Sequence, residues 1–257
     1  MPDSDHVVAL ERHERVLLIT LNRPAVRNAV NAAMAQAIAA ALDELDSDDG
    51  LNVAILTGAP PGFCSGMDLK ASLLGDSPFV EGRGFAGITE RGARKPLIAA
   101  VEGFALAGGF EIALACDLIV AARSAKFALP EVKRGLFAGG GALVRLPQRV
   151  PLGIAKELAL TGEAMTAERL HHFGLVNRLA DDGGALTVAL ELAAAIIPGS
   201  PLAIRTTKHV LDRARDWTLN EAWEQQMELW EQILAAGDAR EGAAAFEAKR
   251  PPIWRTH

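Results

Sequence analysis

Apolar positions along the chain fall into two periods. Residues 7–11 and 16–21 are short apolar runs separated by His13-Glu14-Arg15, and they read as a β-hairpin ended by Asn22-Arg23-Pro24. Residues 53–57 form an apolar run between Asp48-Asp49-Gly50 and Gly58-Ala59-Pro60-Pro61-Gly62, the pattern of a buried strand. Residues 97–101 and 118–121 repeat that pattern. Between the hairpin and the run at 53–57, residues 28–45 carry Val30, Met34, Ile38, Ala41, Leu42 and Leu45, the spacing of one helix face. Strands alternating with helices predict parallel crossover units and an α/β class.

Residues 75–92 contain Gly75, Gly82, Gly84, Gly87 and Gly92 with mixed polarity, and read as a mobile loop with one short helix. From residue 154 the pattern is mostly helical, with segments 185–196, 201–213, 219–236 and 239–249 separated by Pro, Gly or Asp. Neither a charged linker nor a repeated period is visible. The expected plan is a core over 1–190 and a helical part over 191–257.

Composition removes several function classes. The longest stretch without a charged residue, 50–67, is broken by Pro60, Pro61 and four glycines, and the Ala-rich uncharged stretch 28–42 is too short for a membrane helix. Two cysteines among 257 residues cannot build a disulfide framework. The start, Met1-Pro2-Asp3-Ser4-Asp5, is polar and acidic, which predicts a cytoplasmic protein without a signal peptide. A net charge of −6 without a basic block argues against nucleic acid as the main partner.

Three segments could carry chemistry. In Phe63-Cys64-Ser65-Gly66-Met67-Asp68-Leu69-Lys70, Gly66 permits a tight turn that would aim the Met67 and Asp68 amides into a pocket, and Asp68 could cap a helix from Leu69. The alternative is an ordinary strand-to-helix turn. A nucleophilic Cys64 or Ser65 lacks a base at recognisable spacing and the G-x-S-x-G elbow. In Gly103-Phe104-Ala105-Leu106-Ala107-Gly108-Gly109-Phe110-Glu111, Gly109 stands where a phosphate loop needs lysine, so ATP binding is not expected. What remains is a Gly-Gly pair at a helix start, where the bare Gly108 amide suits an anionic oxygen. Glu111 is costly in that apolar helix unless partnered, or else compensates the helix dipole at the surface.

The third segment is Ala128-Leu129-Pro130-Glu131-Val132, followed by Gly135 and Gly139-Gly140-Gly141. Pro130 would present Glu131 from a loop or helix start. Two glutamates beside glycine-lined backbone could serve as an acid/base pair acting on a water. Glu131 could equally be a helix-start acid. His171-His172 has no ligand cluster of zinc spacing around it, and reads as structural. Trp217, Trp223 and Trp230, near helical spacing, read as packing or subunit contacts.

Taken together, Asn22-Arg23-Pro24, the two glycine segments, Lys95-Pro96, residues 127–141, Leu160-Thr161-Gly162, Gly174-Leu175-Val176-Asn177 and residues 241–250 resemble the crotonase, or enoyl-CoA hydratase/isomerase, family over nearly the whole chain. The resemblance implies a ClpP-like spiral of ββα units, a helical C-terminal trimerisation region, and a homotrimer or hexamer (a dimer of trimers). It implies an oxyanion hole from Met67 and Gly108, catalytic Glu111 and Glu131, and a water placed by Gly139. It implies coenzyme A held by Arg23, Ser65, Met67, Asp68, Leu69, Phe246 and Lys249. Coenzyme A would belong to the substrate, with neither a separate cofactor nor a metal. The expected reaction is reversible hydration of a 2-enoyl-CoA in fatty-acid or related metabolism. Ala107 replaces the first of the three glycines common in hydratases, and Leu136-Phe137-Ala138-Gly139-Gly140-Gly141 departs from the usual Ile-Pro-Gly-Ala-Gly-Gly. Residues 84–90 and 245–254 look more like carnitinyl-CoA dehydratases, which hydrate crotonobetainyl-CoA. A double-bond isomerase and a non-catalytic binding homologue are the other readings.

Overall fold

A computed structural model describes residues 6–255; the polar start, 1–5, lies outside them. The chain runs β1 (Val8–His13), β2 (Val16–Leu21), α1 (Ala32–Ser47), β3 (Val53–Gly58), α2 (Leu69–Leu73), β4 (Phe79–Val80), β5 (Gly84–Phe85), β6 (Leu97–Val101), β7 (Phe104–Leu106) and α3 (Gly108–Ala115). It continues through β8 (Leu118–Ala122), β9 (Lys126–Ala128), α4 (Ala142–Arg149), α5 (Leu152–Thr161), β10 (Met165–Thr166), α6 (Ala167–His172) and β11 (Arg178–Ala180). Four helices close it: α7 (Ala185–Ile196), α8 (Pro201–Arg213), α9 (Leu219–Ala236) and α10 (Asp238–Glu247).

The main sheet has the order β1-β2-β3-β6-β8-β11; the β1–β2 hairpin is antiparallel and every other pair is parallel. Both faces are covered, which is why the central strands read as unbroken apolar runs. Leu17, Ile19, Ala54, Leu56, Ala99 and Val101 join the large core that includes α1 and α3. Their alternates, Val16, Leu18, Val53, Ile55, Ile98 and Ala100, pack with Ala189 and Ala193 of α7.

A second, three-stranded sheet has the order β10-β9-β7. Its β7–β9 pairing places Leu106 opposite Ala128, so the start of α3 and the segment after Ala128 come together. This sheet positions the site. The segment 75–92 is not a loose loop with a helix: it forms the β4–β5 hairpin, and Arg83 through Thr89 are buried. Gly87 fits only because it lacks a side chain, since a β-carbon there would stand 2.4 Å from the Ala35 carbonyl oxygen.

Among the described residues no single helix is long and apolar enough to cross a membrane. Helix α9 carries a capping box made by Thr218 and Glu221, yet its Leu219, Trp223, Met227, Trp230 and Leu234 are exposed along one stripe.

Candidate active site

The loop after β3 meets β7 in parallel, through a bridge between Cys64 and Ala105. A second bridge joins Val30 to Met67: the Val30 N–H donates to the Gly66 carbonyl, and the Asp68 N–H donates to the Val30 carbonyl, each at 2.8 Å. The Asp68 amide is therefore consumed, contrary to the expectation that it faces a pocket together with the Met67 amide. The Ser65 N–H is also used, by the Arg27 carbonyl at 3.1 Å. Among the described residues the Met67 N–H meets no acceptor in the chain.

The second free amide is at Gly108. The Ala107 N–H donates to the Ala128 carbonyl at 2.9 Å, whereas the Gly108 N–H, at the first position of α3, meets no acceptor among the described residues. A β-carbon on Gly66 would stand 3.0 Å from the Gly108 nitrogen, so the two loops touch. Three glycines make this approach possible. Besides Gly66 at φ +98°, a β-carbon on Gly109 would lie 2.2 Å from the Cys64 carbonyl oxygen, and one on Gly108 would lie 2.5 Å from the Phe85 ring. Ala107 is not an innocent replacement for glycine: its φ is 51° and its ψ −127°, a conformation that a β-carbon disfavours. Two free donors on segments that touch, one of them at a helix start, suit an oxygen on which negative charge develops.

Glu111 lies one turn into α3 and is 4% exposed, so it is not a surface dipole-compensating residue. Its carboxylate accepts from the Ala142 N–H at 3.1 Å and from the Gly140 N–H. Burial raises its pKa above the ordinary carboxylate value, and the Glu131 charge adds to that; the two N–H groups and Arg145 oppose it. Glu131 is presented from a short 3₁₀ helix, Pro130–Arg134. Among the described residues its buried Oε2 meets no hydrogen-bond partner, and burial raises its pKa, opposed by its own N–H and by Arg134. The two carboxylates thus differ in surroundings: Glu111 holds N–H donors, while one Glu131 oxygen waits for one. Gly139 is exposed beside the Phe137 ring.

Of the residues expected at coenzyme A, the structure gathers Arg23, Ser65, Met67, Asp68 and Leu69. Arg23 pairs with Asp68 at 3.0 Å and donates to the Ala29 carbonyl at 2.5 Å. Asp68 caps α2 by accepting from the Ala71 N–H, and these contacts hold its carboxyl below the ordinary value. Phe246 and Lys249 stand elsewhere within one chain. The tail behind them, Pro251, Pro252 and Trp254, lines a small cavity together with Arg15 and Asn52, at the amino ends of β2 and β3 and opposite the carboxyl ends that feed the site. Phe246 is exposed.

Sequence reasoning missed Asn28, which it placed in a helix. Asn28 is buried at φ 55°, and its Nδ2 donates to the Ala59 and Gly62 carbonyls, both at 2.8 Å, fixing the loop that leads to Met67. It also missed Phe85 and Arg145, for which no local motif exists. Cys64 is no nucleophile: its Sγ faces the Asn28 carbonyl at 3.1 Å and burial pushes its thiol up to about 12. His171 is structural, its Nδ1 lying 2.7 Å from the Val176 carbonyl. The described residues hold no cluster of three or more His, Cys, Asp or Glu side chains that could bind a metal. A cavity of about 1000 Å³ lies between α1, residues 83–94, α8 and α9; neither glutamate lines it, and its Arg83, Arg94 and Lys208 are paired with Asp43, Asp46 and Asp117.

Residues 11–257 match the enoyl-CoA hydratase/isomerase family model. An enoyl-CoA hydratase of Mycobacterium tuberculosis, EchA19, is 41% identical over 95% of this chain and 94% of its own length. The carnitinyl-CoA dehydratase of Salmonella arizonae is 40% identical over 96% of this chain and 98% of its own. The crystal structure of the enoyl-CoA hydratase EchA1 from Mycobacterium marinum superposes with a TM-score of 0.95 at 55% identity, covering 97% and 99% of the two chains. The chain therefore belongs to the enoyl-CoA hydratase/isomerase family, the crotonases, and has its fold. It is an enzyme of the hydro-lyase type within that family.

Proposed function

We propose that the protein reversibly adds water across the double bond of a 2-enoyl-CoA thioester. The observation that carries this reading is the pair of unlike buried carboxylates, Glu111 and Glu131, beside two adjacent amides without acceptors. The Met67 and Gly108 N–H groups would hold the thioester oxygen as it becomes enolate-like. Glu111, whose charge two N–H groups and Arg145 support, is the base toward water at Cβ. Glu131, with a buried oxygen that no described residue hydrogen-bonds, more readily holds a proton and delivers it at Cα. Gly139 would help place the water. Hydration needs both carboxylates, whereas a double-bond isomerase can shuttle its proton on one.

Arg23, Ser65, Asp68 and Leu69 would hold the coenzyme A moiety. The exposed α9 stripe supports a homotrimer or a dimer of trimers, since a monomer would leave two tryptophans in water. In such an assembly Phe246 and Lys249 of one protomer would reach the coenzyme A of another. Cleaving the chain after Ala236 should then lower the oligomeric state on a sizing column and weaken CoA-ester affinity.

A second reading, hydration of crotonobetainyl-CoA, uses the same amides and carboxylates. It rests on the 40% identity to a carnitinyl-CoA dehydratase, close to the 41% shared with an enoyl-CoA hydratase. The acyl pocket decides between them. Straight-chain 2-enoyl-CoAs of increasing length and crotonobetainyl-CoA, compared by kcat/KM for loss of the conjugated thioester absorbance, test both readings. Turnover of the straight-chain esters supports the first; turnover of crotonobetainyl-CoA alone replaces it with the second.

A further inference from the structure

We propose that Arg145 is a positioning residue for Glu111, a guanidinium on the helix whose first N–H holds the glutamate, and one that ties this helix, α4, to the buried segment carrying Phe85 against Gly108. The inference rests on Glu111 acting as the base.

Helix α4 begins with Ala142, whose N–H holds Glu111 Oε1. Arg145 is one turn further along, partly buried, and its Nη2 donates to the Thr89 carbonyl. The Thr89 N–H in turn donates to the Phe85 carbonyl at 3.2 Å. The Phe85 ring lies against Gly108, where a β-carbon would approach it to 2.5 Å. One side chain thus connects the helix that holds the carboxylate to the ring that covers the oxyanion amide. The guanidinium folds back over the first turn of α4, against Gly141, whose φ of +104° favours glycine.

The charges that face Glu111 are few. Glu131 acts on it from the 3₁₀ helix and Arg145 from α4, with opposite effects; α3 itself carries no other charged side chain. Arg145 is faced by Glu111, Cys116 and Asp212, of which Cys116 is a buried thiol. Burial disfavours the guanidinium charge, and the Glu111 charge does most to sustain it. Among the described residues no ion pair joins Arg145 to Glu111, so the guanidinium acts on the carboxylate at longer range, opposing the like-charge push of Glu131. Without it Glu111 binds its proton more tightly, and the base form appears only at higher pH.

The test is the pH dependence of kcat/KM for crotonyl-CoA hydration in wild type, Arg145→Met, Arg145→Lys and, in parallel, Glu111→Gln. Arg145→Met should lose on the order of 10² in rate near neutrality, the scale of a displaced catalytic group, and its acidic limb should move to higher pH. Arg145→Lys should return the limb to the wild-type position, because the charge is kept, while losing about tenfold in rate because an ammonium lacks the planar fork. An Arg145→Met enzyme with the wild-type acidic limb overturns the proposal. Should that variant fail to fold by circular dichroism, Arg145→Gln, which keeps a donor for the Thr89 carbonyl, decides by the same readout: an acidic limb at higher pH supports the proposal, and a wild-type limb overturns it. Wild-type activity in Glu111→Gln would instead remove the reading of Glu111 as base, whatever Arg145 does.

Discussion

The Gly140 backbone lies directly against the Glu111 carboxylate: a β-carbon at Gly140 would stand 2.6 Å from Glu111 Oε2. No side chain fits there without moving the glutamate. Gly140→Ala should leave CoA-ester binding nearly intact and lower kcat on the order of 10², because it displaces a reacting group without touching the thioester site. Unchanged kcat would show that the carboxylate position does not matter.

The oxyanion role of Met67 depends on its backbone. Met67→Pro removes the N–H, and losing one such donor costs roughly 10²–10³ in rate. Met67→Leu keeps the donor and similar volume and should be nearly silent. Equal activities in two folded variants would rule out the Met67 amide.

Ala107 sits at φ 51°, ψ −127°, next to the two free amides. Glycine adopts that conformation without steric cost, although it also adds freedom to the unfolded chain. Ala107→Gly should raise the denaturation free energy by about 1 kcal/mol, the scale of such backbone strain, with activity retained. A lower urea midpoint would show that the alanine is not strained.

Burial raises the Glu131 carboxyl above its ordinary pKa. The folded protein therefore binds that proton more tightly than the unfolded chain. Stability is unaffected below the unfolded-state pKa, falls as pH rises from there to the folded-state pKa, and stays lowered above it. Glu131→Gln removes the charged form and should raise Tm at neutral pH by a few degrees, a gain that vanishes below the ordinary carboxylate range. A neutral-pH Tm at or below wild type would mean that the buried oxygen carries no penalty.

The parts of the fold that were legible in the sequence are those with local causes. The runs at 53–57 and 97–101 read as strands because both faces of the main sheet are buried, and 185–196, 201–213 and 219–236 read as helices because Pro, Gly or Asp separates them. Strand β7 was not legible: three residues between Gly103 and Gly108 become a strand only by pairing with β9, over twenty residues away. The loss of the Asp68 amide has the same origin, since its acceptor is Val30, in a segment expected to be helical. Glycine content made 75–92 look loose, yet Gly87 is there for close contact with α1. For the candidate site, Glu111, Glu131, Met67 and Gly108 stood out as residue types in glycine-rich turns, whereas Arg145 reaches its partners only through tertiary packing.

The account's central claim is that Glu111 and Glu131 divide one proton transfer to and one from the reacting water and thioester. Glutamine at either position keeps shape and hydrogen bonding but ends proton transfer, an effect of roughly 10²–10⁴ in rate. The most direct measurement is the hydration rate of crotonyl-CoA by Glu111→Gln, Glu131→Gln and the double variant, alongside CoA-ester affinity. The account predicts a loss of that size in each single variant, a double loss smaller than their product, and retained affinity in all three. Wild-type hydration by either single variant would contradict it.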